Sequence, residues 1–346
     1  MSEKEFPTIS ICMATLNAES VLDECLKRVN EQDYPKEKIE ILVGDGGSTD
    51  KTKEIVESYG GRVFDNPLKT GESGKAVAVG HAKNDLVLIL DSDNFLPDND
   101  WLKKMVEPFE DKEIELSEPI KYTWREEGGY IERYSALIGM NDPVCLFLGN
   151  YDRWNYLTEK WTDVLHDEED KGGYLKIKLD KRGIPTVGAN GTIFRRQFLQ
   201  GVEFGDYLFD IDMIAKEIAD KGEVKIAKVK VGIIHTFCED NFWKFVRKQQ
   251  RRIKDYTFHK KNKSRAFDWD KFELGGESSM GLVKFIAYTV LIFPLLIQVI
   301  EGYLRKRDNA WFFHIPACWV TLIVYSWGKL VGIFNQQEMS RDNWKQ

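Results

Sequence analysis

Through residue 110 the chain alternates short apolar runs with apolar positions at helical spacing. Residues 8–14 read as a strand. After it, Val21, Leu22, Cys25, Leu26 and Val29 recur as the stripe of a helix packed on one face. A second strand at 39–43 leads through a glycine-rich turn into a helix at 49–59. Residues 86–90 (LVLIL) are a continuous apolar run, the mark of a strand covered on both faces. Strands alternating with helices imply a parallel sheet with right-handed crossovers, whose ligands bind beyond the carboxyl ends of the strands. Chemistry-bearing residues are therefore expected directly after each apolar run. From 111 to 185 the pattern is irregular and rich in aromatics; strand and helix periodicity returns at 186–194 and 208–219.

Hydrophobicity is concentrated toward the C-terminus. Residues 285–300 and 309–328 hold no Lys, Arg, Asp or Glu. As helices they would be roughly 24 and 30 Å long, against a hydrocarbon core of about 30 Å. The second is long enough to cross a bilayer. The first is short and holds Pro294, which suits a re-entrant segment that turns there and returns to the face it entered; a full crossing that carries the following basic loop across is the alternative. That form also keeps the basic triplet Arg305, Lys306 and Arg307 on the cytoplasmic side, where short basic loops tend to stay. Trp311, Phe312, Phe313, Trp319, Tyr325 and Trp327 suit a membrane interface better than a buried soluble hairpin. Ahead of these segments, residues 241–256 place Phe242, Phe245, Val246, Ile253 and Tyr256 on one side, amid Lys244, Arg247, Lys248, Arg251, Arg252 and Lys254. Lys260, Lys261, Lys263 and Arg265 extend the charge. The pattern is that of an interfacial helix on anionic lipid.

Composition narrows the partners. The 346 residues carry 49 Lys and Arg against 56 Asp and Glu, a net charge of −7. A mildly acidic chain is no general polyanion binder, and no base-reading motif accompanies the basic stretch, so a nucleic-acid partner is not expected. The five cysteines are scattered without a CxxC pair, which argues for a reducing compartment and against structural zinc. Residues 1–6 are polar and charged, unlike a signal peptide, which points the N-terminal region to the cytoplasm.

Two strand ends carry the chemistry. LVLIL runs into Asp91-Ser92-Asp93, and two carboxylates two positions apart at a ligand cleft can hold Mg2+ or Mn2+, with substrate phosphates completing the shell. The alternative is an acidic turn capping a strand. The second strand runs into GDGGSTD at 44–50, where glycines allow close backbone approach and Asp45 can accept hydrogen bonds from a base. Neither this run nor GESGKA at 71–76 has the spacing of a dinucleotide or P-loop motif.

Together these segments resemble family 2 glycosyltransferases of the GT-A fold. The matching pieces are ISICMATLN (9–17), VGDGGSTD (43–50), 74–80 ahead of LVLIL, DSD (91–93), VGANGTIFRR (187–196), FDIDM (209–213) and QQRRI (249–253). The resemblance implies a GT-A-like, mostly parallel sheet with flanking helices, followed by the interfacial helix and a membrane-embedded helical hairpin. It implies inverting transfer of a sugar from a nucleotide diphosphate donor. Thr15, Asn17, Asp45 and Lys75 would bind the donor, with Asp91 at the ribose and metal and Asp93 ligating Mn2+ or Mg2+. His235 falls where related enzymes place a metal or phosphate ligand. Asp210 falls at the catalytic base, but Phe209 replaces the family's Glu, which leaves Asp210 and Asp212 both open. Ile253 replaces the Trp of the segment associated with polymerising members, which favours a single transfer; Arg251 and Arg252 would contact diphosphate or lipid phosphate. The expected organisation is a donor half (1–110), an acceptor half (111–235), a basic juxtamembrane segment (236–280), a membrane hairpin (281–334) and a polar tail (335–346). The expected acceptor is a polyprenyl-linked molecule at the cytoplasmic face of the membrane. A processive polysaccharide synthase and a silent nucleotide-sugar-binding scaffold are the rivals.

Overall fold

The computed structural model describes residues 5–188, 190–200, 206–262 and 278–332. Lys263, Arg265 and the tail 335–346, assigned above to the basic stretch and the polar tail, lie outside the described residues, as does Ala189 of the VGANGTIFRR piece.

The first half alternates as its pattern predicts: β1 (Ile9–Thr15), α1 (Glu19–Asn30), β2 (Ile39–Asp45), α2 (Thr52–Ser58), β3 (Arg62–Asp65), α3 (Gly71–Gly80) and β4 (Leu86–Leu90). These strands pair in parallel in the order β3-β2-β1-β4. LVLIL is buried at every position. Leu86, Leu88 and Leu90 pack with α1 and the β1 residues Ile9, Ile11 and Met13, whereas Val87 and Ile89 face the opposite layer. That two-sided burial is why no polar residue interrupts the run.

Beyond β4 the sheet is mixed, which corrects the expectation of a mostly parallel one. After β5 (Asn94–Phe95) and α4 (Trp101–Val106), the stretch that reads as irregular holds β6 (Ile114–Tyr122), α5 (Tyr130–Ile138), α6 (Val144–Leu148), β7 (Asp167–Asp170) and β8 (Tyr174–Asp180). β9 (Asn190–Arg195) runs antiparallel between β4 and β6; after α7 (Arg196–Gln200) and α8 (Asp210–Lys221) come β10 (Glu223–His235) and α9 (Phe242–Asn262). β10 is parallel to β6 and antiparallel to β8, and β7 and β8 form a hairpin. Tight hairpins need no crossover helix, so the alternation that marks the first half disappears here.

α10 (Ser278–Leu291), α11 (Phe293–Arg305) and α12 (His314–Gly332) close the described chain. Their inner faces join a third cluster with α5, α6 and α9, including Tyr134, Phe147, Phe245, Trp311 and Phe313. All five cysteines are free thiols.

α3 presses on the strand ends with no room to spare. A Cβ on Gly44 would lie 2.2 Å from the carbonyl oxygen of Gly74, and one on Gly74 would lie 2.7 Å from Ala14 Cβ. Backbone cannot yield as a flexible side chain can. Gly44→Ala is expected to cost about 1–3 kcal/mol, read as a loss of several degrees in Tm, while Gly47→Ala meets no neighbour and tests strain at φ +90° alone.

Candidate active site

The carboxyl ends of β1 and β2 lie side by side and form one wall of the cleft. Thr15 Oγ1 donates to Asp45 Oδ1 at 3.1 Å, and Asp45 Oδ2 accepts from the backbone N–H of Gly47 and Ser48 at 2.9 and 2.7 Å. Ser48 Oγ donates to Asp45 Oδ1 at 2.5 Å. Asn17 sits at φ +52°, a left-handed conformation that asparagine tolerates, and its Oδ1 accepts from Thr49 N at 2.9 Å. Thr15, Asn17 and Asp45 are thus brought together, with Asp45 as the organiser of the glycine-rich turn.

The second wall is built by β4 and β10. The loop after LVLIL feeds β5, which pairs antiparallel with the end of β10, matching Asn94 to His235. Both N–H and Oγ1 of Thr236 donate to the carbonyl of Asp93, at 3.0 and 3.1 Å. This pairing sets Asp93 Oδ1 3.6 Å from His235 Nε2 and Oδ2 3.3 Å from Lys248 Nζ on α9. Burial pushes the Asp93 carboxyl up, but Lys248 and His235 outweigh it and hold it well below the usual carboxylate range. Asp91 is raised, by burial first and then by the charge of Asp93, with Lys75 opposing.

At the back of the cleft, Asp210 opens α8 and lies 3.8 Å from Lys75 Nζ of α3, with both side chains at most one-tenth exposed. Asp210 Oδ1 is buried without a hydrogen-bond partner. Burial raises Asp210 to about 6, with Lys75 lowering it and the charges of Asp91 and Glu118 adding to the rise. Burial lowers the pKa of Lys75, but the charges of Asp210 and Asp91 reverse the direction and raise it above its ordinary value. Asp212 is almost fully buried two residues on, in the first turn of the same helix. A poised carboxylate, a buried ammonium and two clustered carboxylates therefore face one another across the strand ends, the chemistry of a base opposite an anion-stabilising site.

The two arginines of QQRRI part company. Arg251 is 3.9 Å from Asp255 and close enough to Lys75 to oppose its charge. Arg252 donates to Gln249 Oε1 at 2.6 Å and to the carbonyl of Asn141 at 3.4 Å. It therefore braces the loop beside His235, where Asn141 Nδ2 lies 3.4 Å from His235 Nδ1. Sequence reasoning assigns Lys248 only to a charged face and gives Asn141 no role. It also misses the buried cluster in which Glu118 accepts from Lys228 at 2.6 Å, Arg153 at 3.3 Å and Thr192 at 3.0 Å. Lys248 lies 155 residues from Asp93 and Lys228 110 from Glu118, separations that leave no local signal.

Among the described residues, no group of three or more His, Cys, Asp or Glu side chains is placed to hold an ion unaided. The donor set still fits Mg2+ or Mn2+: one or two carboxylates plus substrate phosphates and water is how such ions are commonly held. Asp91 and Asp93 are the residues that would supply those hard oxygens, with the Lys248 ammonium now paired to Asp93 at 3.3 Å.

Residues 10–201 match the sequence family described as glycosyl transferase family 2, which is more than half of the chain. The protein belongs to that family. It is 35% identical over 118 residues to a dolichyl N-acetyl-α-D-glucosaminyl phosphate 3-β-D-2,3-diacetamido-2,3-dideoxy-β-D-glucuronosyltransferase of Methanococcus voltae, a stretch covering 32% of this chain and 36% of that one. It is 28% identical over 142 residues to the glycosyltransferase AglE of Haloferax volcanii, covering 39% and 46%. The chain thus matches between a third and a half of the length of these relatives. Over 94% of its length it superposes on 89% of a mannosyltransferase from Pyrobaculum calidifontis, solved with GDP-Man and Mn2+, with a TM-score of 0.54 and 16% identity. The fold is shared at that level and agrees with the GT-A architecture.

Proposed function

We propose that the protein moves one sugar from a nucleotide diphosphate donor to a polyprenyl-type lipid-linked acceptor at the cytoplasmic face of a membrane, inverting the anomeric centre. The observation that carries the chemistry is the buried Asp210 beside Lys75, facing the Asp91 and Asp93 carboxylates across the strand ends. The Methanococcus relative named for a dolichyl phosphate substrate supports the lipid-linked acceptor. The Pyrobaculum structure with GDP-Man and Mn2+ supports the donor class and the ion.

In this reading Thr15, Asn17 and Asp45 shape the nucleoside pocket. Asp210 accepts the proton of the acceptor hydroxyl as its oxygen bonds to the anomeric carbon from one face. On the other face the bond to the diphosphate breaks and its electron pair leaves with the diphosphate. Lys75, Arg251 and Lys248 are the cations available to that growing charge. Asp91 and Asp93 would hold a divalent cation, which when bound neutralises the diphosphate.

Membrane attachment rests on the surface. Of the large apolar side chains exposed among the described residues, nearly all lie between Met280 and Leu330. Soluble monomers do not keep so large a contiguous patch in water. Incubating membranes with radiolabelled nucleotide sugar should give label that extracts into organic solvent, one sugar per lipid, and that is lost with EDTA. A water-soluble polymer as product would favour the synthase, and nucleotide binding without any transfer would favour the scaffold.

A further inference from the structure

We infer that the C-terminal helices are embedded in one leaflet only, and that α12, although long enough to cross, stays on the catalytic side along its whole length. The inference rests on the membrane reading above and specifies its topology.

α12 with the turn before it, Asn309–Leu330, meets the length and apolarity of a span. Its contacts do not allow one. Near its start, His314 Nδ1 is 2.7 Å from Tyr134 Oη of α5. Eleven residues on, Tyr325 Oη donates to Asp142 and, at 3.1 Å, to Gln249 Oε1 of α9. Gly328 lies so close to α9 that a Cβ there would be 2.6 Å from Ile253. The helix is therefore pinned to the catalytic body from its first turn almost to Lys329. A crossing would carry Asp142, Gln249 and Arg252 into hydrocarbon, and with them the Asn141 loop beside His235. Charged groups at the bilayer centre cost several kcal/mol each. The outward side of α12 is apolar, with Ile323, Trp327 and Leu330 exposed three and four residues apart, the stripe of a helix lying in an interface.

The α10–α11 pair obeys the same geometry. The two helices meet at 95° around Ile292, two residues before Pro294. The first turns of α10 dock on α6, where Phe285 packs edge-on against Phe147. The far end of α11 returns to the catalytic body: Arg305 pairs with Glu159 at 2.7 Å, Lys306 lies 4.0 Å over the Trp124 ring, and Asp308 pairs with Arg133 at 3.1 Å. Both ends of the pair are thus on one side. Leu291, Ile292 and Phe293 form its exposed apex. Met280–Leu291 reaches at most about 18 Å from the body, close to one leaflet and well short of the roughly 30 Å core. At the end of the pair nearest the body, Arg305, Lys306 and Arg307 stand where a leaflet's headgroups would be, while the apex is wholly apolar.

The test uses single cysteines at exposed positions of the full chain: Asn309→Cys, Lys329→Cys and, as a catalytic-domain marker, Lys181→Cys, with the parent protein as background. An impermeant maleimide is applied to sealed right-side-out and inverted vesicles, and a parallel sample is given an alkaline carbonate wash that opens the vesicles and leaves only embedded protein in the membrane. We expect all three sites to label in the same vesicle orientation. Labelling of Lys329→Cys from the face opposite to Lys181→Cys overturns the inference and leaves membrane attachment standing. Release of the protein by the carbonate wash, as a soluble monomer or dimer, overturns the membrane reading and the inference together.

Discussion

Replacing Asp210 with Asn is expected to lower turnover by roughly 10²–10⁴-fold while donor affinity stays close to wild type. The substitution keeps size and hydrogen bonding and removes only basicity. Asp210 suits the role because its Oδ1 is buried without a hydrogen-bond partner among the described residues and the Lys75 ammonium stands 3.8 Å from its Oδ2, so the carboxylate is held basic for its type. With its proton held up to about 6, the rate should rise with pH through that value and level off above it. The same shift has a cost in stability. The folded state binds the proton more tightly than the unfolded chain, so the contribution of Asp210 falls as pH rises from about 4 to about 6 and is fully unfavourable above that. The bound on this is about 3 kcal/mol for a shift near two units. Asp210→Asn should therefore raise Tm at pH 7.5 and not at pH 4, by less than the bound because Lys75 loses a counter-charge. An inactive enzyme whose gain in stability appears above about pH 4 and is complete above about pH 6 is the signature of a functional carboxylate. If Asp212→Asn is the dead variant and Asp210→Asn turns over normally, the base is Asp212.

How much of this was legible in the sequence follows from where each residue's partners lie. The strands β1, β2 and β4 and the turns after them were readable because two-sided burial demands unbroken apolar runs, and ligand-facing residues must follow them. The pairs Thr15 with Asp45 and Asp91 with Asp93 come from adjacent strand ends or from one loop. In the mixed half β9 and α8 were readable at 186–194 and 208–219, but β6 and β8 were not: they carry Glu118, Lys176 and Lys178 among their apolar residues, since the buried cluster and the exposed hairpin both place polar positions inside strands. The basic helix α9 shows the same limit. Its charge reads as a lipid-facing surface, yet Phe245, Gln249 and Ile253 are buried, and Lys248 and Arg252 turn inward to Asp93 and Asn141. Side-chain direction on a helix is set by what packs against it, and α12 begins 61 residues after the last residue of QQRRI.

Removing the Asp93 carboxylate should abolish metal-dependent binding of a nucleoside diphosphate while the fold survives. Asp93 lies between two positive or proton-bearing groups, His235 Nε2 at 3.6 Å and Lys248 Nζ at 3.3 Å. Its loss leaves Asp91 as the nearest hard-oxygen ligand of the pair. The expected loss in Mn2+-dependent affinity of Asp93→Ala, measured by calorimetry, exceeds the roughly 10–100-fold that removal of an outer-shell partner costs. Metal-independent binding of the free nucleoside, which draws on Thr15, Asn17 and Asp45, should hardly change. Lys248 separates electrostatics from ligation. Its ammonium must leave Asp93 for a divalent cation to bind there, and even the surface-pair value of about 1 kcal/mol, taken for a pair 14% exposed on both sides, is a fivefold effect. Lys248→Met should therefore bind Mn2+ alone about fivefold more tightly than wild type, and Lys248→Arg should not. Unchanged Mn2+-dependent nucleotide affinity in Asp93→Ala would remove Asp93 from the metal site. Tighter Mn2+ binding in Lys248→Met, lost again when Asp93→Ala is added, would place the ion on that carboxylate.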